Sequence, residues 1–298
     1  TKDQKLHFEP LINRGKARLN QKKYSEATTD FSKAAEVAAS YKMKLNEISY
    51  PIYMAGLTKY IQGNQLNDSE TLMLAASYFK KIIEYNSGFA EQAFIMRAVA
   101  LRNAKKWPEA VDVLEAMLTR FPNNDEAHYL LGLSRFEAGE VLKGIVTMNT
   151  FIKKNPDDKR APQALLESLR AAIYGLDKRQ SLMQSLELIE KFEKLKKISP
   201  KDKNYLDTTP AILHLKAILL WKQNRGKDAE TNRIVFLNLY PNHFLAMEVR
   251  LWLAFKNMRD KPVNLDAAVN FYKEALDKHK ESKLRGFALW QFGKALHK

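Results

Sequence analysis

Two prolines set the period of this chain. Pro122 and Pro156 stand 34 residues apart, and each follows a small residue by 12 positions, Ala110 in one case and Gly144 in the other. Ala229 precedes Pro241 by the same interval. A repeat in the range of about 20–50 residues marks supersecondary units that cannot bury an apolar face alone and so must stack on their neighbours. The segments between the prolines carry apolar residues three and four apart, as in Leu182, Leu186, Ile189 and Leu195, or Phe79, Ile82 and Ile83. That spacing lines one face of an α-helix. Strand alternation is nearly absent, and 11 Gly with 10 Pro in 298 residues supply too few turns for a sandwich, a barrel or a doubly wound sheet. An all-α chain of about fifteen helices, each about 11 to 18 residues long, is expected.

The prolines at 10, 51, 108, 122, 156, 162, 200, 210, 241 and 262 are expected where a helix begins or has just ended, since only there is the missing N–H harmless. Turn clusters lie between the periodic segments, among them Phe121-Pro-Asn-Asn-Asp125, Asn155-Pro-Asp-Asp158 and Tyr240-Pro-Asn242. Aromatic residues followed closely by Glu-Ala open two segments, Tyr24-Ser-Glu-Ala27 and Trp107-Pro-Glu-Ala110, with Leu265-Asp-Ala-Ala268 a weaker version. Ala27 is followed seven positions later by Ala34, and Ala268 by Ala275, with Phe31 or Tyr272 between. Gly15 and Leu131-Gly132 supply further small positions. Antiparallel helices approach closely only where the facing ridge is small, and a bulky neighbour one turn along fills what is left.

This pattern resembles the tetratricopeptide repeat (TPR), a helix–turn–helix unit with small residues, an aromatic and a proline at set positions. The resemblance implies a right-handed superhelix, an α-solenoid of antiparallel helix pairs running through the whole chain as one array. Its units are expected at 8–41, 49–90, 91–124, 125–158, 159–202, 210–243 and 243–282, followed by a terminal helix over 284–297. The units at 8–41 (Gly15, Tyr24, Ala27, Phe31, Ala34), 91–124 (Trp107, Ala110, Pro122), 125–158 (Leu131, Gly132, Gly139, Pro156) and 210–243 (Ala217, Ala229, Pro241) match best. The others carry extra residues, at Gly63–Ser69, between Pro156 and Pro200, and at Met258–Val263, read as longer loops or helices within the array. The terminal helix, with Phe287, Leu289, Trp290, Phe292 and Leu296, reads as a cap over the last unit or as part of a longer array.

Catalytic chemistry finds no support. There is no cysteine, which removes disulfides, thiolate metal sites and a thiol nucleophile. The six histidines, at 7, 128, 214, 243, 279 and 297, show no i, i+4 pair, so neither a metal nor another cofactor is expected. Gly139-Glu-Val-Leu-Lys-Gly144 lacks the Lys-Ser/Thr ending of a phosphate loop, and Gly144 reads better as a packing residue. Acidic pairs such as Asp125-Glu126 and Asp157-Asp158 sit where helices start and favour the positive end of the dipole. The chain is read as non-enzymatic. No run approaches the roughly 18 apolar residues of a membrane span, and no signal peptide is expected in a stretch that opens on Thr1 and a charged segment. Neither reading fixes a compartment, cytoplasmic or periplasmic and envelope-associated.

What remains is surface. In the resembling family the first helix of each unit lines a concave face. Carried over, this implies a groove lined by Lys16 and Asn20, then Tyr53 and Tyr60, Arg102 and Asn103, Tyr129 (with Phe136), Arg170, Trp221 and Lys222, and finally Trp252 and Lys256. Rings offer contact area at low entropic cost, while Arg and Lys pair with carboxylates. Phe136, Trp221 and Trp252 also suit gap-filling between units. The formal charge of +15 points to an acidic or amphipathic protein or peptide as partner. The Lys and Asn pattern with which some co-chaperones of the family hold a terminal carboxylate is missing, since Ile12 and Lys16 stand at its positions. The run Lys191–Lys197 with Lys201 and Lys203 reads first as a solvated helix face. The charge is spread rather than concentrated, which argues against nucleic acid. The expected role is a scaffold or adaptor holding a partner segment in the groove. The alternative is an envelope protein of a secretion or polysaccharide-export assembly that contacts an anionic polymer.

Overall fold

A computed structural model describes residues 2–198 and 202–297, with side chains of 2–6 and Ile198 left aside. The described residues are helical throughout and contain no strand; they divide into two compact units, Thr1–Asn155 and Pro156–Lys298. The first unit holds α1 (Lys2–Asn20), α2 (Tyr24–Ser40), α3 (Leu45–Leu66), α4 (Ser69–Tyr85), α5 (Ala90–Asn103), α6 (Trp107–Arg120), α7 (Asp125–Glu137) and α8 (Val141–Lys154). The second holds α9 (Ala161–Gly175), α10 (Lys178–Ile198), α11 (Lys203–Lys222), α12 (Gly226–Leu239), α13 (Leu245–Arg259), α14 (Leu265–Lys278) and α15 (Arg285–Leu296). Within each unit successive helices pair antiparallel, the arrangement of an α-solenoid.

Small residues set the spacing inside the pairs. A Cβ added to Gly15 of α1 would lie 2.8 Å from the Phe31 ring of α2, and one added to Gly132 of α7 would lie 2.8 Å from the Met148 side chain of α8. Phe31 and Met148 are fully buried. Deleting one side chain on the facing ridge lets a large one fill the space at crystal-like density. Gly144 works from the opposite helix, its missing Cβ occupied by the Phe136 ring. The core of the first unit runs through Phe79, Ile82, Phe94, Leu114, Met117 and Leu131. In the second, Met247, Tyr272, Ala275 and Ala288 form one cluster, and Phe236, Ala246, Val249 and Leu253 another.

One turn recurs between helices. Lys22, Lys105, Gly139 and Asn224 have positive φ, at 61°, 59°, 81° and 61°. The residue after each returns a backbone N–H five positions: Lys23 to Arg18, Lys106 to Leu101, Glu140 to Arg135 and Arg225 to Leu220, at 2.8 to 2.9 Å. This is the Schellman closure, which satisfies orphan carbonyls and reverses the chain within two or three residues. Met43 and Asp68 make the same return, to Ala38 and Gly63, after Lys42 and Asn67. Glycine is the usual occupant, yet five of these six turns carry Lys or Asn, so the thin glycine count understated the number of turns.

Three prolines depart from the expectation. Pro10, Pro51 and Pro210 lie inside α1, α3 and α11. For α3 the cause is visible. Its first turn forms upstream of the proline because the Lys44 backbone N–H donates to Glu47 Oε2 at 3.0 Å, a cap that starts the helix at Leu45. The extra residues at Gly63–Ser69 are largely helix as well. α3 runs to Leu66, and the break is confined to Asn67 in the left-handed conformation and Asp68, which caps α4 by accepting from Glu70 N–H at 3.1 Å. Helices α1, α3, α10 and α11, at 19 to 22 residues, are accordingly longer than expected. Pro200 and Lys201 lie outside the described residues.

Candidate functional site

In the first unit the side chains assigned to the groove meet mainly one another. Lys16 Nζ of α1 stands 5.3 Å from the centre of the Tyr50 ring of α3, while Asn20 is exposed. Asn103 Nδ2 of α5 donates to Tyr60 Oη at 3.2 Å and to Asn64 Oδ1 at 3.0 Å, both on α3. Arg102 binds Glu137 of α7 through two parallel bonds of 2.9 Å, and its side chain is only 17% exposed. First helices are thus tied to first helices by a rung of polar contacts. Tyr53 packs edge-on to Phe79 with centroids 5.6 Å apart, and burial raises its phenol pKa. Tyr129 lies 5.5 Å from the Phe151 ring. Phe136 is the filler over Gly144.

The second unit is different in kind. Arg170 of α9 is exposed and paired only along its own helix, with Glu167 at 2.9 Å. Tyr174, one turn on, is exposed, and Lys222 of α11 sits 4.7 Å above its ring while donating to the Ile173 carbonyl at 2.7 Å. Trp221 is 48% exposed and meets Trp252 of α13 edge to face, with centroids 5.0 Å apart. Lys256 is spoken for by Glu230 at 2.8 Å and by Asp260, leaving its side chain 14% exposed. The structure therefore brings Tyr174, Trp221, Lys222 and Trp252 together across three first helices, while Lys256 serves as a structural cation.

Beneath Trp252 lies a residue not expected at the site. The Arg233 guanidinium of α12 stacks 3.7 Å from the Trp252 ring centre and is 3% exposed. It donates to the Ala217 carbonyl at 3.2 Å, and Glu248, on α13, is the charge that favours it. Burial nonetheless depresses its pKa to about 10. Glu248 lies 3.7 Å from His214 Nε2, and the nearness of that ring, then of Arg233, holds its carboxyl below the usual range against the cost of burial. The sequence carried a trace of Arg233: it falls four after Ala229 and three before Phe236, on the buried stripe of α12. A cation on that stripe must stack or pair.

Chemically this surface can bind and orient, through flat rings, a basic edge and fixed spacing. Among the described residues no group of three or more His, Cys, Asp or Glu could hold a metal, and no helix is long and apolar enough to cross a membrane. Sequence models of the tetratricopeptide repeat match residues 91–134 and 126–158. No curated protein matches the chain. The C-terminal part of a TPR repeat-containing protein from Cytophaga hutchinsonii is similar in fold, with a TM-score of 0.60 at 14% identity, covering 93% of this chain and 99% of that one. A tetratricopeptide repeat protein from Parabacteroides merdae gives 0.54 at 13% identity over 98% and 99%. The apo form of RapI gives 0.60 at 12% identity over 93% and 78%. The helix pairs, the small-residue contacts inside them and the matched segment across α5 to α8 agree: residues 91–158 carry tetratricopeptide repeats, and the described residues have the all-α, paired-helix fold of TPR proteins.

Proposed function

We propose that the protein is a non-enzymatic scaffold whose second unit holds a partner protein segment against the first helices α9, α11 and α13. The observation that carries this reading is the aromatic and basic row of Tyr174, Trp221 and Lys222, which are exposed, with the half-buried Trp252 packed edge to face on Trp221. Rings left half in water on a rigid frame lose little entropy on contact, and they are the residue types on which binding energy concentrates. Lys222 and Arg170 favour carboxylates beside an apolar anchor, so the partner segment is acidic with at least one large apolar side chain. Arg102, Asn103, Tyr60 and Lys256 act in holding helices together, and their role in capture is indirect. An anionic polysaccharide is the second reading, favoured by the formal charge of +15 alone.

Selection of a displayed random-peptide library on the full chain tests this. Acidic peptides with an aromatic or leucine anchor are expected, with affinity lost by about tenfold or more, some 1.4 kcal/mol, in Trp221→Ala and in Lys222→Glu. Equal binding by both variants would remove the row from the site. Preferential binding of alginate over every selected peptide would favour the polymer.

A further inference from the structure

Each second helix of a pair leaves one face in water, and α12 does so without a charge. Past its first turn the exposed residues are Thr231, Ile234, Val235, Asn238 and Leu239. They are spaced three and four apart and so share one face. Ile234, Val235 and Leu239 keep 44%, 41% and 60% of their surface in water. Every other second helix places charge on its exposed face: Lys33 on α2, Lys80 on α4, Asp112 on α6, Lys153 on α8, Glu187 on α10 and Lys273 on α14. The difference is not a shortage of charged residues in α12. Past the first turn it has Glu230 and Arg233, and both are turned inward. Glu230 pairs with Lys256 at 2.8 Å, and Arg233 is buried against Trp252.

The face is not the seat of a neighbouring helix in the chain. α11 before it and α13 after it are in place, and Phe236 packs with Leu213 and Val249 on the opposite side of α12. Charge then says what can cover it. A partner recognised by opposite charge finds nothing to pair with here. Two copies of this chain, each with a formal charge of +15, repel one another and meet closely only where neither presents a cation. This face meets that condition, and it complements itself. In an antiparallel pair about a twofold axis, Val235 faces Val235 of the other copy, and Thr231 faces Leu239. The dipoles of the two helices then oppose, and Lys227 at the start of each α12 points toward the carbonyl end of its mate, where a cation is favoured.

We infer that the exposed face of α12 is where two copies of this chain pair, antiparallel about an axis near Val235. One helix pair buries less than the roughly 1,200 Å² of a stable interface, so the dimer is reversible and forms at about 10 μM and above. The pairing is separate from the Trp221 row and does not rest on it.

Sedimentation equilibrium of the full chain between about 1 and about 500 μM tests this. A monomer–dimer equilibrium is expected. Leu239→Lys should weaken it by about tenfold or more, while Leu186→Lys, at an equally exposed leucine of α10, should leave it unchanged. Added salt should strengthen the dimer by screening the like charges, whereas it would weaken a contact made between opposite charges. The absence of cysteine makes one introduced thiol a clean reporter. Under mild oxidation Val235→Cys should form a disulfide-linked dimer about tenfold faster than Lys273→Cys on α14, because only thiols at the axis come within bonding reach. All four substitutions are at exposed positions, and thermal melts check that each variant is folded. The inference is overturned by a monomer across the whole range, by a dimer that ignores Leu239→Lys or weakens with salt, or by equal cross-linking at the two positions.

Discussion

Glycine in a helix costs up to about 1 kcal/mol relative to alanine, so each one retained needs a packing reason. Gly144 has one: a Cβ there would stand 2.5 Å from the Phe136 ring and 3.2 Å from the Gly132 carbonyl. Gly144→Ala is therefore expected to destabilise by about 1–3 kcal/mol, overpacking outweighing propensity. Gly132→Ala meets only the flexible Met148 side chain and should cost less. Gly293→Ala meets nothing and should stabilise the chain by a few tenths to about 1 kcal/mol. Denaturant melts of the three variants check the order, and a destabilised Gly293→Ala would contradict the open space around it. These roles could be guessed at Gly132 and Gly144, where bulky residues recur at fixed spacing. At Gly293 the residue is the same, and only the packing tells the difference.

Among the elements, the end of α14 is tied to α13 by a charge arrangement that no spacing rule foretold. Arg250 is almost fully buried and donates to Glu274, to the Pro241 carbonyl at 3.0 Å and to His279, whose Nε2 is 3.1 Å away. An arginine can only donate, so this His279 nitrogen accepts and the ring is neutral. Burial first, then Arg250 and Lys278, lowers the His279 pKa. A histidine whose folded pKa is depressed adds stability above its unfolded value, near 6.5, and loses it as the pH falls through the folded value. The melting temperature should thus fall below about pH 6.5 more steeply in the wild type than in His279→Gln, whose amide oxygen can accept the same bond. Parallel pH profiles would remove His279 from this role. The same limit applied to Arg102. Its charge was plain in the sequence, but its two bonds to Glu137, 35 residues on, belong to the next first helix.

For the whole molecule, repeat stability is a sum of local pair energies and nearest-neighbour interfaces. The division at Asn155 and Pro156 then carries a direct consequence. Fragments 1–155 and 156–298, made separately, should each keep helical circular dichroism and a cooperative melt. A fragment that stays unfolded would show that its helices depend on the other. Periodicity, proline spacing and small-residue recurrence sufficed for the all-α fold and the repeat family, because each is a local rule satisfied within one helix pair. They failed for Pro10, Pro51 and Pro210, which lie inside helices, at Pro51 because a capped turn forms upstream of the ring, and for turns at Lys22 and Lys105, where a positive φ is imposed by the closing bonds. Which groove residues are free was beyond their reach. Tyr60, Arg102 and Lys256 are consumed by partners on neighbouring helices, whereas Trp221 stays half in water. A side chain's availability depends on contacts made across long stretches of chain, and those distances exist only once the helices have packed.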